Sequence, residues 1–132
     1  MSPNRFTLFL FFILSFNYKN SEALECIEGS SVQKHMTGCA EKELAEETKK
    51  LDGAYKDYIK FLGEEDYRAD EKKYFKESHI AWIKYKDLYC KNWTASCQGG
   101  TICGLVWASC QTTKTRQRLQ EIEEIFEDQK KL

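Results

Sequence analysis

The chain has 132 residues, with 20 Lys and Arg against 21 Asp and Glu and a formal net charge of −1. That balance excludes the strongly basic surface of a nucleic-acid-binding protein, and the length suits one domain. Charged residues of both signs make up 31% of the chain, a mixture that favours solubility.

A short basic stretch ending at Arg5 runs into the apolar residues 6–16, and Ser21-Glu22-Ala23 places small residues where a signal peptidase reads. The apolar run is shorter than the roughly 20 residues a bilayer crossing needs. Residues 1–23 therefore read as a signal peptide cleaved after Ala23, and residues 24–132 as one exported domain, periplasmic or extracellular, with no stable membrane anchor after cleavage. Glu25, directly before Cys26, argues against lipidation of that cysteine, because the preceding position of a lipidated cysteine takes a small residue.

All six cysteines lie beyond the cleavage point, and their even number in an exported chain predicts disulfides. No Cys-x-x-Cys occurs, so neither a zinc ribbon nor a redox pair of the thioredoxin type is indicated, and no metal or cofactor is expected.

Pro3 is the only proline, so nothing beyond the signal peptide forbids long helices. Leu44, Leu51, Tyr55, Tyr58 and Leu62 recur at helical spacing between Glu and Lys, which predicts a first helix over residues 38–62, capped by Thr37 and stopped at Gly63. A second stripe through Tyr74, Ser78, Ala81, Trp82, Tyr85, Leu88 and Tyr89 predicts a helix capped by Asp70 and ending near Trp93, with this stripe facing the core. Gln98-Gly99-Gly100 marks a loop, bracketed by Trp93 and Trp107, which either pack it or form an exposed recognition edge. Thr101 caps a third helix whose stripe reads Ile102, Leu105, Val106, Ser109, Thr113, Leu119, Ile122 and Phe126, with Lys130 and Lys131 at its end.

The expected fold class is all-α: a small antiparallel three-helix bundle stapled by disulfides. With the second and third helices antiparallel across the Gly99-Gly100 turn, Cys90 pairs with Cys110 and Cys97 with Cys103, leaving Cys26 for Cys39.

Catalytic groups do not converge. His35 and His79 are the only histidines, there is no nucleophile elbow, and Glu46-Glu47 and Glu123-Glu124 read as solvated helix faces. The chain reads as a binding protein rather than an enzyme. Asn92-Trp93-Thr94 matches a glycosylation sequon, which matters only in a eukaryotic secretory pathway.

Trp82-Ile83-Lys84-Tyr85-Lys86-Asp87-Leu88-Tyr89-Cys90 resembles the Trp-x-x-Tyr-Arg-Asp-x-x-Cys signature of the lysozyme inhibitor LprI-like family of bacterial exported domains. Met36-Thr37-Gly38-Cys39-Ala40 is similar to its Met-Asn-x-Cys-Ala, Gly99-Gly100-Thr101 to its Gly-Gly-Ser/Thr turn, and Cys110, Thr115, Arg118 and Ile122 to its Cys-x4-Thr-x2-Arg-x3-Leu. Lys86 stands in place of the signature arginine, His79 where a glutamine is common, and Cys97 and Cys103 look like an added pair.

The resemblance implies a protein partner, a lysozyme or related cell-wall hydrolase, blocked non-covalently. It implies a structural role for Trp82, Tyr85, Asp87, Cys90, Cys110, Thr115 and Arg118, with Asp87 expected to pair with Arg118 between helices. The turns suit target contact: Glu64, Glu65, Asp66 and Tyr67 in the first, Gln98, Gly99, Gly100 and Thr101 in the second. A structural envelope module without a hydrolase target, and an immunity protein against a cell-wall toxin, are the competing readings.

Overall fold

The computed structural model describes residues 24–63 and 66–131, so the expected signal peptide and the turn residues Glu64 and Glu65 lie outside the described residues. Three long helices follow one another: α1 (Gln33–Leu62), α2 (Ala69–Thr94) and α3 (Cys103–Gln129). Short 3-10 turns at Asp66–Arg68 and Ala95–Cys97 lie in the connections. The described residues contain no strand, and none of their helices is long and apolar enough to cross a membrane.

α1 begins earlier than the sequence indicates, at Gln33, and Thr37 lies inside it rather than capping it. The Thr37 hydroxyl is buried and donates to the Gln33 carbonyl oxygen at 3.0 Å, the back-bonding that lets a threonine sit within a helix. Ser30 organises the entry: its Oγ accepts from the Val32 N–H at 3.1 Å and shares a hydrogen bond of 3.0 Å with His35 Nδ1. The segment before the helix crosses α1 at Gly38, where a Cβ would stand 2.6 Å from the carbonyl oxygens of Leu24 and Glu25. Only glycine admits that crossing.

The bundle runs up, down, up, so α2 is antiparallel to both neighbours and α1 and α3 are parallel. The parallel pair shares the closest backbone approach, although its members are farthest apart in sequence, while α1 and α2 meet through the side chains of Tyr55, Tyr58, Phe75 and His79. Residue pairing advances together along both helices: Gly104 lies against Thr37, Arg116 reaches Glu43 and Glu47, and the Phe61 and Phe126 rings are 5.0 Å apart. Toward the α1–α2 turn the core is apolar, built on Leu51, Tyr58 and Leu62 of α1, Phe75 of α2 and Ile122 of α3. Toward the other end it is small and polar, with Thr37, Ala40, Ala108, Gln111, Thr112 and Thr115 buried.

That polar half corrects the expected stripe on α3, where Ile102, Ser109 and Thr113 are exposed. Burial of Thr112 costs little because its hydroxyl donates to the Ala108 carbonyl at 2.8 Å. α2 is rotated by about a quarter turn from expectation, a phase that follows from its 3.6-residue repeat. Phe75, His79 and Cys90 are buried, Trp82 and Tyr89 are half-buried, and Tyr74, Ser78, Ala81, Tyr85 and Leu88 face outward. Its aromatic and aliphatic residues lie nearly all round the helix, so two overlapping stripes compete. The bridge at Cys90 selects one.

Two disulfides staple the bundle as expected: Cys26–Cys39, with Cα atoms 4.4 Å apart, and Cys90–Cys110, at 5.7 Å. The third expected bridge is absent. Cys97 and Cys103 are free thiols joined by a hydrogen bond that, together with burial, raises the Cys97 pKa. Backbone hydrogen bonds already close the segment between them, from Gly100 N–H to the Cys97 carbonyl and from Cys103 N–H to the Gly100 carbonyl.

Candidate functional site

The residues of the Trp82 to Cys90 stretch and their partners on α3 form an internal clamp between helices. His79 stacks on Tyr55 with ring centroids 4.4 Å apart and on Trp82 at 5.4 Å. Lys86 Nζ lies 5.0 Å from the Trp82 ring centroid, a cation–π contact at the signature arginine position. Burial lowers the Lys86 pKa, opposed by Asp87 and Asp52. Asp87 does not meet Arg118. Its Oδ1 accepts from Gln111 Nε2 at 3.2 Å, while Arg118 donates to Glu121 Oε2 at 2.9 Å and to Ser78 Oγ at 3.1 Å.

The antiparallel register explains this correction. With Cys90 bonded to Cys110, Asp87 falls opposite the next residue of α3, and Arg118, two turns farther on, falls opposite Ser78. Gln111 was missed because glutamine seldom marks a core face, although it lies on the buried row with Ala108, Thr115 and Arg118. Tyr85 is exposed; its ring lies tilted against Tyr89 with centroids 5.7 Å apart, and Lys114 Nζ sits 4.1 Å from the Tyr89 ring centroid.

At one end of the bundle the first turn meets the last turns of α3. Arg68 clamps Glu71 through Nε at 3.0 Å and Nη2 at 3.2 Å, and its Nη2 also donates to Gln129 Oε1 at 3.2 Å. Tyr58 donates its hydroxyl to Glu71 Oε1 at 2.9 Å, and burial with this carboxylate pushes the phenol pKa up to about 12. Arg68 holds the Glu71 carboxyl below its ordinary range. Around this lock Asp66, Asp70, Glu123, Glu124, Glu127 and Asp128 are exposed, and Tyr67 projects with 83% of its surface accessible. A hydrogen bond from Lys130 lowers the Glu127 pKa, the ordinary effect of a surface ion pair.

The second candidate turn lies at the opposite end. Gln98 and Gly99 adopt positive φ, 48° and 78°, and Gln98, Gly99, Gly100 and Thr101 are all exposed. Beside them a groove of about 460 Å3 opens between α2 and α3, lined by Tyr89, Trp93, Leu105, Val106 and Thr113 among others. Since α2 alone is about 40 Å long at 1.5 Å per residue, the two turns cannot share one compact contact surface.

Among the described residues no three His, Cys, Asp or Glu side chains gather as a metal site. The Ser30–His35 pair belongs to the entry of α1, where Ser30 also holds the Val32 N–H.

A family model described as lysozyme inhibitor LprI matches residues 26–122. The chain belongs to the LprI family. The matched span of this LprI chain takes in both disulfides and the whole internal clamp, and it stops before Glu123, Glu124, Glu127 and Asp128. Searches of curated proteins and of solved structures found no match. Within the matched span the Cys90–Cys110 bridge and the hydrogen bonds of Asp87 with Gln111 and of Arg118 with Ser78 join α2 to α3.

Proposed function

We propose that this LprI chain is an exported inhibitor that binds a lysozyme or related cell-wall hydrolase and blocks it without chemistry. The observation that carries the reading is the match to the lysozyme inhibitor family across the disulfide-bonded domain. The acidic end is its contact surface. Asp66, Tyr67 and Asp70, with Glu64 and Glu65 adjoining in sequence, stand beside the carboxylates that end α3. Their charge steers a cationic hydrolase toward this end, and an exposed tyrosine held on a rigid turn is an effective anchor. The Arg68–Glu71–Tyr58 lock keeps the turn in place without using the exposed carboxylates.

The protein acts outside the cytoplasm, in the periplasm or beyond it, after removal of residues 1–23. Lysis of a bacterial suspension by lysozyme, followed by turbidity with and without the oxidised protein, tests the activity. Slowed clearing is expected, relieved by Tyr67→Ser and by Asp66→Asn with Asp70→Asn. Unchanged clearing at large molar excess would overturn the reading. One observation favours a structural envelope module instead: of the signature positions Trp82, Tyr85, Lys86, Asp87 and Cys90, all but Tyr85 are buried or half-buried. The same null result in the turbidity assay would put that module first.

A further inference from the structure

Cys97 and Cys103 stand side by side as thiols. Cys97 closes the 3-10 turn that follows α2 and Cys103 opens α3, with their sulfurs joined by a hydrogen bond. The chain between them is folded by its own backbone. The Gly100 N–H donates to the Cys97 carbonyl at 2.9 Å, the Cys103 N–H donates to the Gly100 carbonyl at 3.0 Å, and Gln98 and Gly99 supply the positive φ that reverses direction. The two sulfurs are therefore held together whether or not a bond joins them, and a covalent link would add to this loop rather than create it.

The two closed bridges do different work. Cys90 is fully buried, and its bond to Cys110 joins two helices, so a reagent reaches it only when the α2–α3 contact opens. Cys26–Cys39 holds the entry segment where it crosses α1 at Gly38. Cys97 and Cys103 are both partly exposed on the folded domain, open to exchange without unfolding. Only Gln98 to Ile102 lie between them, so their bridge would close the shortest loop of the three and constrain the unfolded chain least.

We infer that Cys97 and Cys103 form a thiol–disulfide exchange site, a reversible third bridge that reacts with a low-molecular-weight disulfide of the glutathione type while the two structural bridges stay closed. The Cys103 sulfur attacks one sulfur of the small disulfide, whose S–S bond breaks and releases the first thiolate. Cys97 then attacks the Cys103 sulfur of the mixed disulfide, forming the Cys97–Cys103 bond and releasing the second thiolate. Two protein thiols are oxidised, one disulfide is reduced to two thiols, and the two thiol protons pass to the departing thiolates. Cys97 acts second because its hydrogen bond to Cys103, together with burial, holds its proton. The consequence is a second turn, Gln98 to Thr101, that is stapled under oxidising conditions and released under reducing ones with the bundle unchanged. This holds whichever partner the acidic end takes.

The test equilibrates the exported protein with graded mixtures of reduced and oxidised glutathione, traps thiols with N-ethylmaleimide and maps the labelled peptides. Label is expected at Cys97 and Cys103 alone, rising and falling together with the glutathione ratio. Emission of Trp107, one turn along α3 from Cys103, should follow the same ratio, because a disulfide quenches a nearby indole. In excess reduced glutathione the Cys97–Cys103 bridge should open about a hundredfold or more faster than Cys90–Cys110, which waits for the helices to part. Cys97→Ser should accumulate a glutathione adduct at Cys103. Thiols that persist in excess oxidised glutathione would overturn the inference, as would a third bridge that opens no faster than Cys90–Cys110, pairing of either thiol with another cysteine, or a Cys97→Ser protein free of adduct. A Cys97→Ser, Cys103→Ser protein that loses its helical circular dichroism would make the pair a structural staple and overturn it as well.

Discussion

Replacing Gly38 by alanine sets two effects of opposite sign against each other. Within a helix interior alanine is favoured over glycine by about 1 kcal/mol. Here the added methyl would stand 2.6 Å from two backbone carbonyl oxygens, those of Leu24 and Glu25, and these cannot swing aside as a flexible side chain would. Overlap with two immovable backbone atoms belongs to the upper part of the overpacking range, about 2–3 kcal/mol, so the clash outweighs the helix gain and Gly38→Ala destabilises by about 1–2 kcal/mol. For a domain of this size that lowers the melting temperature by roughly 4–16 °C. The Cys26–Cys39 bridge holds the crossing segment in place, so its removal should change the sign. In a Cys26→Ser, Cys39→Ser background the segment can lift away, and Gly38→Ala becomes neutral or stabilising by up to about 1 kcal/mol. Thermal unfolding of the four proteins, followed by circular dichroism, closes the cycle. A stabilising Gly38→Ala in the bridged protein, or equal effects in both backgrounds, would refute the crossing as the reason for this glycine.

Removing the other bridge with Cys90→Ala and Cys110→Ala frees a loop with a sequence separation of 20, for which chain entropy gives a loss of about 3 kcal/mol, read from the urea midpoint. Acid should also weaken the fold through His79, whose pKa lies below its ordinary 6.5 because of burial and the nearby Arg118 and Lys86 cations, opposed by Asp52. The unfolded chain then binds the proton more readily. The stabilisation is complete above about pH 6.5 and is lost as pH falls from there through the folded value, so His79→Gln should flatten that part of the stability profile measured by denaturant titration.

Much of the scaffold could be read from the residues alone, because helices announce themselves through period and through the absence of proline. The ends and faces were harder. Thr37 looks like a cap and is instead a back-bonded interior residue, a distinction that depends on the segment crossing at Gly38. α2 carries Phe75, Trp82 and Tyr89 on one row and Tyr74, Tyr85 and Leu88 on another, and only the bridge from Cys90 to α3 decides which is covered. α3 hides its core row behind Gln111, Thr112, Thr115 and Arg118, of which Gln111 and Arg118 are met by Asp87 and Ser78 of α2 while Thr112 bonds back to its own helix. The candidate contact turns were found by their composition, but their separation to opposite ends is a property of three full-length helices. No local pattern contains it.

The parallel pairing of α1 with α3 has a consequence for how the chain assembles. The contacts that close the apolar core, such as Phe61 with Phe126, join residues with nearly the whole of α2 and α3 between them, so they are favoured only after that intervening chain has been ordered. α2 and α3 are joined by a short connection and their own bridge, and they can form a helical hairpin early. Until α3 docks, α1 meets α2 chiefly through the Phe75 and His79 rings against its Tyr55 and Tyr58, and the core cluster that Ile122 completes stays open. The first helix of the chain is therefore the last to be fully buried, and the docking of α3 on α1 is the step at which this small protein is open to aggregation or proteolysis.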